Sequence, residues 1–426
     1  MHYVWQHRLF PTAGLQTVDG QRIAVINPGV HNTDAGPDFF NATVKIDDRI
    51  WVGNVEIHVR ASDWKRHGHD GDKAYDSVIL HVVDIDDMPV KRPDGQVIPQ
   101  LRLPCSSNLN SEYHTLTDSA PSALPCAAKL SEIDPIYHTD WIASLGFERL
   151  HAKADRALQL LDNLHGDWEG VAFITLARAM GFGVNNEPFE RLARSIGPKI
   201  MQKCSHSLAT AEALLLGRAG FLDQFRPGDD SYGSALKEEY LFLCRKFDLP
   251  APPQLAWKMS RMRPGNSPQR RLATLAHILT RESSIMSRIT EVDEVEKARE
   301  LFIGDLTGFW ADHYSLTGIP CTSSAGMSVS SANILIINAL APLLHAYGTL
   351  TGQSALEDRA VRFLEDLKPE DNKITKMFDA CGIKCRDAFT SQALIQLRRE
   401  YCEKRKCLYC RIGHRLLSAR ALRPAK

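Results

Sequence analysis

The sequence lacks an excess of charge of either sign. Lysine plus arginine and aspartate plus glutamate each number 51 in a chain of 426 residues. A neutral total gives the chain no general affinity for nucleic acid or for an anionic membrane surface, so any basic surface must be local. Hydrophobic residues at 44% and charged residues at 24% are typical of a globular protein, and the length predicts two or three domains.

Long apolar runs are also missing. The most apolar stretch, 332–344, is shorter than the roughly 20 residues of a membrane span and contains Asn333, Asn338 and Pro342. The first residues do not show the basic start and apolar core of a signal peptide. The 10 cysteines are scattered and then cluster near the C-terminus, which favours a reducing compartment over a disulfide scaffold. We therefore expect a cytoplasmic protein without a membrane partner.

Several familiar catalytic motifs are absent from the sequence. There is no glycine-rich phosphate loop, no Rossmann fingerprint and no G-x-S-x-G nucleophile elbow. The pattern of hydrophobicity instead divides the chain into β-rich and helical parts, which predicts the α+β class. The predicted division is a β-rich candidate catalytic domain at 1–105, a Pro/Ser-rich linker at 106–138, a large all-α domain at 139–400 and a short Cys-rich, basic segment at 401–426.

One stretch, 36–83, concentrates possible metal ligands. Four of the 16 histidines lie here among carboxylates, on or between predicted strands. Glu56 and His58 are two residues apart on a strand and therefore share a face. The candidate ligands are Asp38, Glu56, His58, His67, His69 and His81. His81 lies in an apolar strand, where a histidine must be hydrogen-bonded, paired or ligated.

The order of these acids resembles the PD-(D/E)XK nuclease superfamily. Pro37-Asp38 precedes a strand, and Glu56-Ile57-His58 follows on the next strand. The resemblance implies a restriction-endonuclease-like sheet, with magnesium bound by Asp38 and Glu56. His58 would then replace the lysine that orients or activates water, although a histidine supplies no fixed positive charge near neutral pH. The whole chain also resembles an uncharacterised bacterial protein family that shares this core and implies no established activity.

The loop that carries His67 and His69 leaves the metal open. Carboxylates alone favour Mg or Mn, whereas a His-x-His pair suits Zn, Mn or Fe better. The alternative is a polar surface turn, because Gly68 and Gly71 mark a loop.

A second candidate for substrate binding is the basic stretch 257–271. Arginine donors fit phosphate oxygens, so Arg261, Arg263, Arg270 and Arg271 are predicted to contact an anion. A solvated loop before a helix is the simpler interpretation.

The C-terminal cysteines predict a further metal. Cys402, Cys407, Cys410 and His414 have the C-x4-C-x2-C-x3-H spacing of a structural Zn site. Cys381 or Cys385 could replace a ligand or complete an iron–sulfur cluster. Unligated cysteines packed on a helix are the alternative.

Two functions of different class follow from these patterns. The first is a metal-dependent hydrolase, nuclease-like, with Asp38, Glu56 and His58 at its centre and nucleic acid as substrate. The second is a non-catalytic scaffold that binds nucleic acid or protein and holds a structural metal. A third hypothesis places packed histidines and no metal in the β-rich part. The sequence does not predict an oligomeric state.

Overall fold

The chain forms two compact units, and both of its ends belong to the first. The computed structural model describes residues 1–10, 14–92, 95–103, 107–118, 124–260, 262–281, 284–321 and 326–421. Unit 1 comprises Met1–Trp141 with Leu397–Lys426, and unit 2 is Ile142–Gln396. The stretch predicted as a linker, 106–138, lies within unit 1 and contains a helix.

Unit 1 is built around a mixed sheet. Its strands are β1 Ile23–Asn27, β2 Val30–His31, β3 Phe39–Ile46, β4 Arg49–Arg60, β5 Val78–Ile85 and β6 Gln100–Arg102. The order is β1-β3-β4-β5-β6, with β2 also paired to β3. The β1, β3 and β4 pairings are antiparallel, whereas β4, β5 and β6 run parallel.

Helices make up most of the remaining regular structure. They are α1 His2–Gln6, α2 Asp63–Arg66, α3 Ser107–Thr117, α4 Pro135–Asn163, α5 Trp168–Met180, α6 Asn186–Ile196, α7 Pro198–Cys204, α8 Leu208–Arg218, α9 Tyr232–Lys246, α10 Pro268–Arg281, α11 Ile285–Glu291, α12 Val295–Glu300, α13 Val329–Leu335, α14 Ala341–Thr351, α15 Ser354–Asp366, α16 Lys373–Asp379, α17 Ala388–Gln396 and α18 Arg411–Ala421. The α+β class predicted from the sequence is confirmed.

The strand pattern follows directly from the residues. In β5, every residue from Val78 to Val83 is buried, as its continuous apolar sequence predicts for a central strand. The β3–β4 hairpin turns at Asp47, whose φ is +48°, beside Asp48. The pairing of β3 and β4 is irregular between Phe39 and Ala42. Such bulges re-aim side chains, and this one lies beside the candidate metal ligands.

Unit 2 has one large hydrophobic core, formed mainly by its helices. Among the described residues, the continuous helical run Val329–Thr351 is long and apolar enough to cross a membrane, and 67% of its apolar 18-residue window is buried within the protein. Core helices share that length and composition. The run includes a π-helical turn, Ile336–Leu340, and Lys153 Nζ donates to the Ile337 carbonyl within that turn. A π-turn frees backbone carbonyls for such contacts.

A carboxyl group is buried in this core. Glu212 on α8 is 1% exposed, and Tyr232 Oη donates to its Oε2. Its Oε1 lies 3.8 Å from His277 Nδ1. Burial raises the pKa of Glu212 to about 7 from an ordinary 4.5, although the Tyr232 hydrogen bond acts in the opposite direction. The folded protein therefore holds a proton here that the unfolded chain releases.

This proton makes the stability of unit 2 depend on pH. The stabilisation is complete below pH 4.5 and is lost as the pH rises through about 7. The substitution Glu212→Gln imitates the protonated acid, so at pH 8.5 it should raise the free energy of unfolding by about 1 to 3 kcal/mol. At pH 4.5 the variant and wild type should be equally stable. Urea unfolding followed by tryptophan fluorescence measures both, with exposed Glu365→Gln as control. Identical pH profiles for wild type and Glu212→Gln would contradict this assignment.

Candidate metal centre

Two parallel strands and the loop between them bring the histidines together. Glu56 and His58 lie on β4, and Glu56 is paired with His81 on β5. After β4, the chain forms α2, whose C-cap is His67, and then reverses at Gly68, whose φ of +76° favours glycine. His69 begins the 3-10 turn that follows. The loop therefore returns two imidazoles to the strand residues.

The donor atoms converge at distances suited to one ion. His58 Nε2 lies 3.1 Å from His67 Nδ1 and 3.5 Å from Glu56 Oε1. His69 Nε2 lies 3.3 Å from the same Glu56 oxygen. Around a tetrahedral zinc ion with bonds of about 2.0 to 2.1 Å, neighbouring ligand atoms are about 3.3 to 3.4 Å apart. One nitrogen from each of these three imidazoles lies within 4.8 Å of the others.

Asp38 holds the glutamate rather than facing the imidazoles directly. The Asp38 backbone N–H donates to Glu56 Oε2 over 3.0 Å, and the Ile57 N–H donates to Asp38 Oδ2 over 2.9 Å. His2 Nε2 also lies 3.0 Å from Asp38 Oδ2. The two acids that the nuclease-like pattern selects are thus neighbours, and Glu56 keeps Oε1 directed at the histidines.

Burial shifts the charges of this group towards neutrality. Desolvation, then the Asp38 charge, raises the pKa of Glu56 to about 8. Desolvation and the neighbouring imidazoles lower the pKa of His58 to about 4. Burial alone would raise the pKa of Asp38, but the hydrogen bond and charge of His2 bring it below its ordinary value. A neutral His58 can ligate a metal but cannot replace the positive charge of a lysine.

His81 supports His58 from behind. Its Nε2 lies 2.9 Å from His58 Nδ1, its side chain is fully buried, and its Nδ1 has no hydrogen-bond partner. If His58 ligates through Nε2, its Nδ1–H donates to His81. Such a partner fixes the tautomer and orientation of a metal-ligating histidine. His81 is therefore positioned to orient a ligand and not to act as one.

Aromatic side chains form the wall of the group. The ring of Tyr75 stacks on His69 with centroids 3.8 Å apart. Trp64, which is 1% exposed, makes edge contacts with His58, His69 and His81. Neither residue was identified in the sequence as part of the site. Their spacing on the loop gave no signal beyond ordinary core packing.

Arg270 and Arg271, two of the arginines predicted to contact an anion, donate hydrogen bonds to groups of the protein itself. Arg270 and Arg271 are buried at the start of α10 in unit 2. Arg270 donates to the Trp310 and His313 carbonyls, and Arg271 donates to the Met180 carbonyl and Asn266 Oδ1. These contacts give both guanidinium groups a structural role. Arg263 is exposed, and Arg261 lies outside the described residues.

The predicted Cys3His set is divided in the structure. Cys402, Cys407 and Cys410 are buried together beside one small cavity of unit 1. His414 instead has its Nδ1 2.8 Å from Tyr3 Oη, and its ring lies 4.4 Å from that of His7. Cys381 and Cys385 belong to unit 2. The sequence spacing therefore identified three cysteines that lie together in the structure. It included His414 because this residue is close to them along the chain, whereas the His414 side chain contacts Tyr3.

Comparison with known proteins identifies a family without an assigned activity. Residues 1–373 match the family described as "Protein of unknown function (DUF2851)". The chain belongs to this family. Neither the curated proteins nor the solved structures contain a match. The match spans the whole sheet of unit 1, including every residue of the histidine group, and ends before the C-terminal cysteines.

Removing the acceptor behind His58 should weaken metal binding without removing a ligand. The substitution His81→Phe is expected to lower the affinity for Zn or Mn about 10- to 100-fold, whereas His81→Gln keeps an acceptor oxygen and should lose less. Isothermal titration with each metal alone measures the effect, with the exposed His206→Gln as control. Equal affinity in wild type and His81→Phe would show that His81 only packs.

Proposed function

We propose that unit 1 is a metal-dependent hydrolase that cleaves phosphodiester bonds, in the manner of a nuclease. The observation that carries the proposal is the group of three imidazoles, His58, His67 and His69, whose nitrogen atoms lie within 4.8 Å of one another. Glu56 Oε1 lies 3.5 Å from His58 Nε2 and 3.3 Å from His69 Nε2, and Asp38 lies beside Glu56. Three imidazoles and one carboxylate favour Zn or Mn over Mg. A bound ion would lower the pKa of a water molecule and stabilise charge on a phosphoryl oxygen.

The burial of the ligands supports an ion that is accessible from one side. Glu56 and His58 are buried, His69 is half-buried, and His67 is exposed. A catalytic ion needs an open coordination position for water or substrate. The exposed loop residue His67 is the ligand that substrate would approach.

A cavity lined by four histidines and an arginine supports an anionic substrate. It measures about 260 Å³ and is lined by His2, Tyr3, Gln6, His7, His31, Leu408, Tyr409, Cys410, Arg411 and His414. Imidazoles and a guanidinium group offer donors to phosphate oxygens. His2 connects this cavity to the metal group through its contact with Asp38. A His2 imidazole oriented by Asp38 could deliver a proton to the leaving oxygen.

A structural metal in a binding scaffold is the second candidate. Three imidazoles and Glu56 would complete a tetrahedral shell, and a closed shell is the arrangement of a structural zinc ion. In that case, metal loss would unfold the loop 61–77, but no cleavage would accompany metal binding.

Substitution of Glu56 distinguishes a hydrolase from a binding scaffold with a structural metal. Wild-type protein supplied with Mn, Zn or Mg should degrade plasmid or oligonucleotide, and Glu56→Ala should reduce the rate by at least about 100-fold, because it removes the carboxylate of the ion site. The readout is gel or fluorescence detection of cleaved strands. Asp48→Asn, at the opposite end of the β3–β4 hairpin, is the matched control and should cleave normally.

Two results would refute the hydrolase proposal. One is the absence of cleavage by wild-type protein with any of the three metals. The other is equal cleavage by Glu56→Ala, which would indicate a contaminating nuclease. Metal binding without cleavage would instead support the scaffold.

A further inference from the structure

A second group of donor atoms lies apart from the histidines in sequence and chemistry. A cavity of about 20 Å³ in unit 1 is lined by four cysteines, Cys126, Cys402, Cys407 and Cys410. This volume holds about one water-sized body. Cys126 comes from the Pro/Ser-rich stretch before α4, whereas the other three come from the turn before α18. The cavity therefore joins two segments that are separated in sequence by the whole of unit 2.

The C-terminal segment is folded tightly around its thiols. After Cys402, Arg405 adopts a left-handed φ of +53°, and the Lys406 N–H donates to the Tyr401 carbonyl over 2.9 Å. Cys407 begins a 3-10 turn, and the Cys410 N–H donates to its carbonyl over 3.3 Å. A Cβ at Gly413 would collide with that same carbonyl. This close packing requires glycine and keeps Cys407 and Cys410 on the cavity.

The thiols of the C-terminal segment are buried in the folded protein. Cys402, Cys407 and Cys410 are each 8% exposed. They line the same small cavity as Cys126, so a metal ion held between the four sulfur atoms would be shielded from solvent.

We propose that Cys126, Cys402, Cys407 and Cys410 form a four-thiolate site for a soft metal, either one zinc ion or an iron–sulfur cluster. The fourth ligand is Cys126 and not His414, which is directed to Tyr3. In the part of the chain that the structure describes, no three of these sulfur atoms lie within 4.8 Å of one another. Tetrahedral zinc needs sulfur atoms about 3.8 Å apart, so zinc would draw the thiols inwards. A cluster, whose thiolates bind different irons, needs less closure but a larger cavity than one water-sized space.

A metal bound at this site would cross-link two segments of unit 1. It would link the segment before α4 to the segment before α18, and so hold both ends of unit 1 together across the inserted unit 2. A link that closes so long a loop restricts the unfolded chain strongly. It uses no residue of the histidine group, although Cys410 also lines the cavity of about 260 Å³ beside His2.

Metal content of the full-length protein tests the ligand set. Protein purified without oxygen should contain a thiol-bound metal, which is either about one equivalent of zinc or iron with acid-labile sulfide and visible absorption. Any metal of the histidine group is counted separately, as the metal that Glu56→Ala loses. That thiol-bound metal should be lost in Cys126→Ser and retained in His414→Gln and in the control Cys385→Ser. Retention of all metal by Cys126→Ser, or its loss in His414→Gln, would overturn the four-thiolate assignment.

Differential alkylation of wild-type protein gives the same answer if a variant does not fold. Chelation should increase the alkylation of the four cysteines together, while Cys204, buried in unit 2, should not change. A chelator-dependent increase at Cys402, Cys407 and Cys410 without Cys126, or no increase at all, would contradict the proposal. The alkylation of Cys105, which lies outside the described residues, is determined in the same experiment.

Discussion

The candidate metal centre depends on a reciprocal pair of hydrogen bonds between the entry of β3 and the middle of β4. Each acid accepts a backbone N–H from the other's segment: Glu56 from Asp38, and Asp38 from Ile57. The β3–β4 ladder is irregular at this point, and Asn41, in a left-handed conformation, donates its N–H to Asn54 Oδ1. Side chains thus replace the regular ladder, and the irregular pairing leaves one Glu56 oxygen facing the imidazoles. A regular hairpin would have satisfied these backbone groups and left no reason for the acids to converge.

Burial of the group explains why its members are mutually dependent. A carboxylate and three imidazoles in a dry site cannot all be charged, and desolvation shifts Glu56, His58 and His81 towards their neutral forms. A divalent cation would reverse the shift of Glu56 and keep the imidazoles neutral, because its charge favours the ionised carboxylate and repels a proton on an imidazole. His58 is oriented by a second histidine and not by a backbone carbonyl. As a consequence, Nδ1 of His81 is buried without a hydrogen-bond partner, which is unfavourable.

Local sequence patterns predicted most of unit 1 because its key residues are close along the chain. The hairpin and the buried strand β5 follow from alternation and apolar runs, whereas Asp38, Glu56 and His58 follow from their strand positions together with the nuclease-like pattern. The sequence leaves the loop of His67 and His69 open between metal ligands and a polar surface turn, since nothing in it shows that Gly68 turns the loop back over β4. Cys126 was not identified at all, because its partners lie beyond unit 2. The arginines of 257–271 were predicted to contact anions because charge is visible in a sequence, whereas the backbone carbonyls that accept from Arg270 and Arg271 are not.

The two proposed donor groups of unit 1 differ in chemistry. The histidine group includes an exposed member, His67, whereas four thiolates would enclose a metal without an open position. The first group lies on consecutive elements of one sheet, so it can form as soon as β3, β4 and β5 pair. The second requires the last helix of the chain and can form only after unit 2 has been synthesised. A site that closes last and joins distant segments is suited to stabilising the assembled unit, and a site built locally on a bulged hairpin is suited to chemistry.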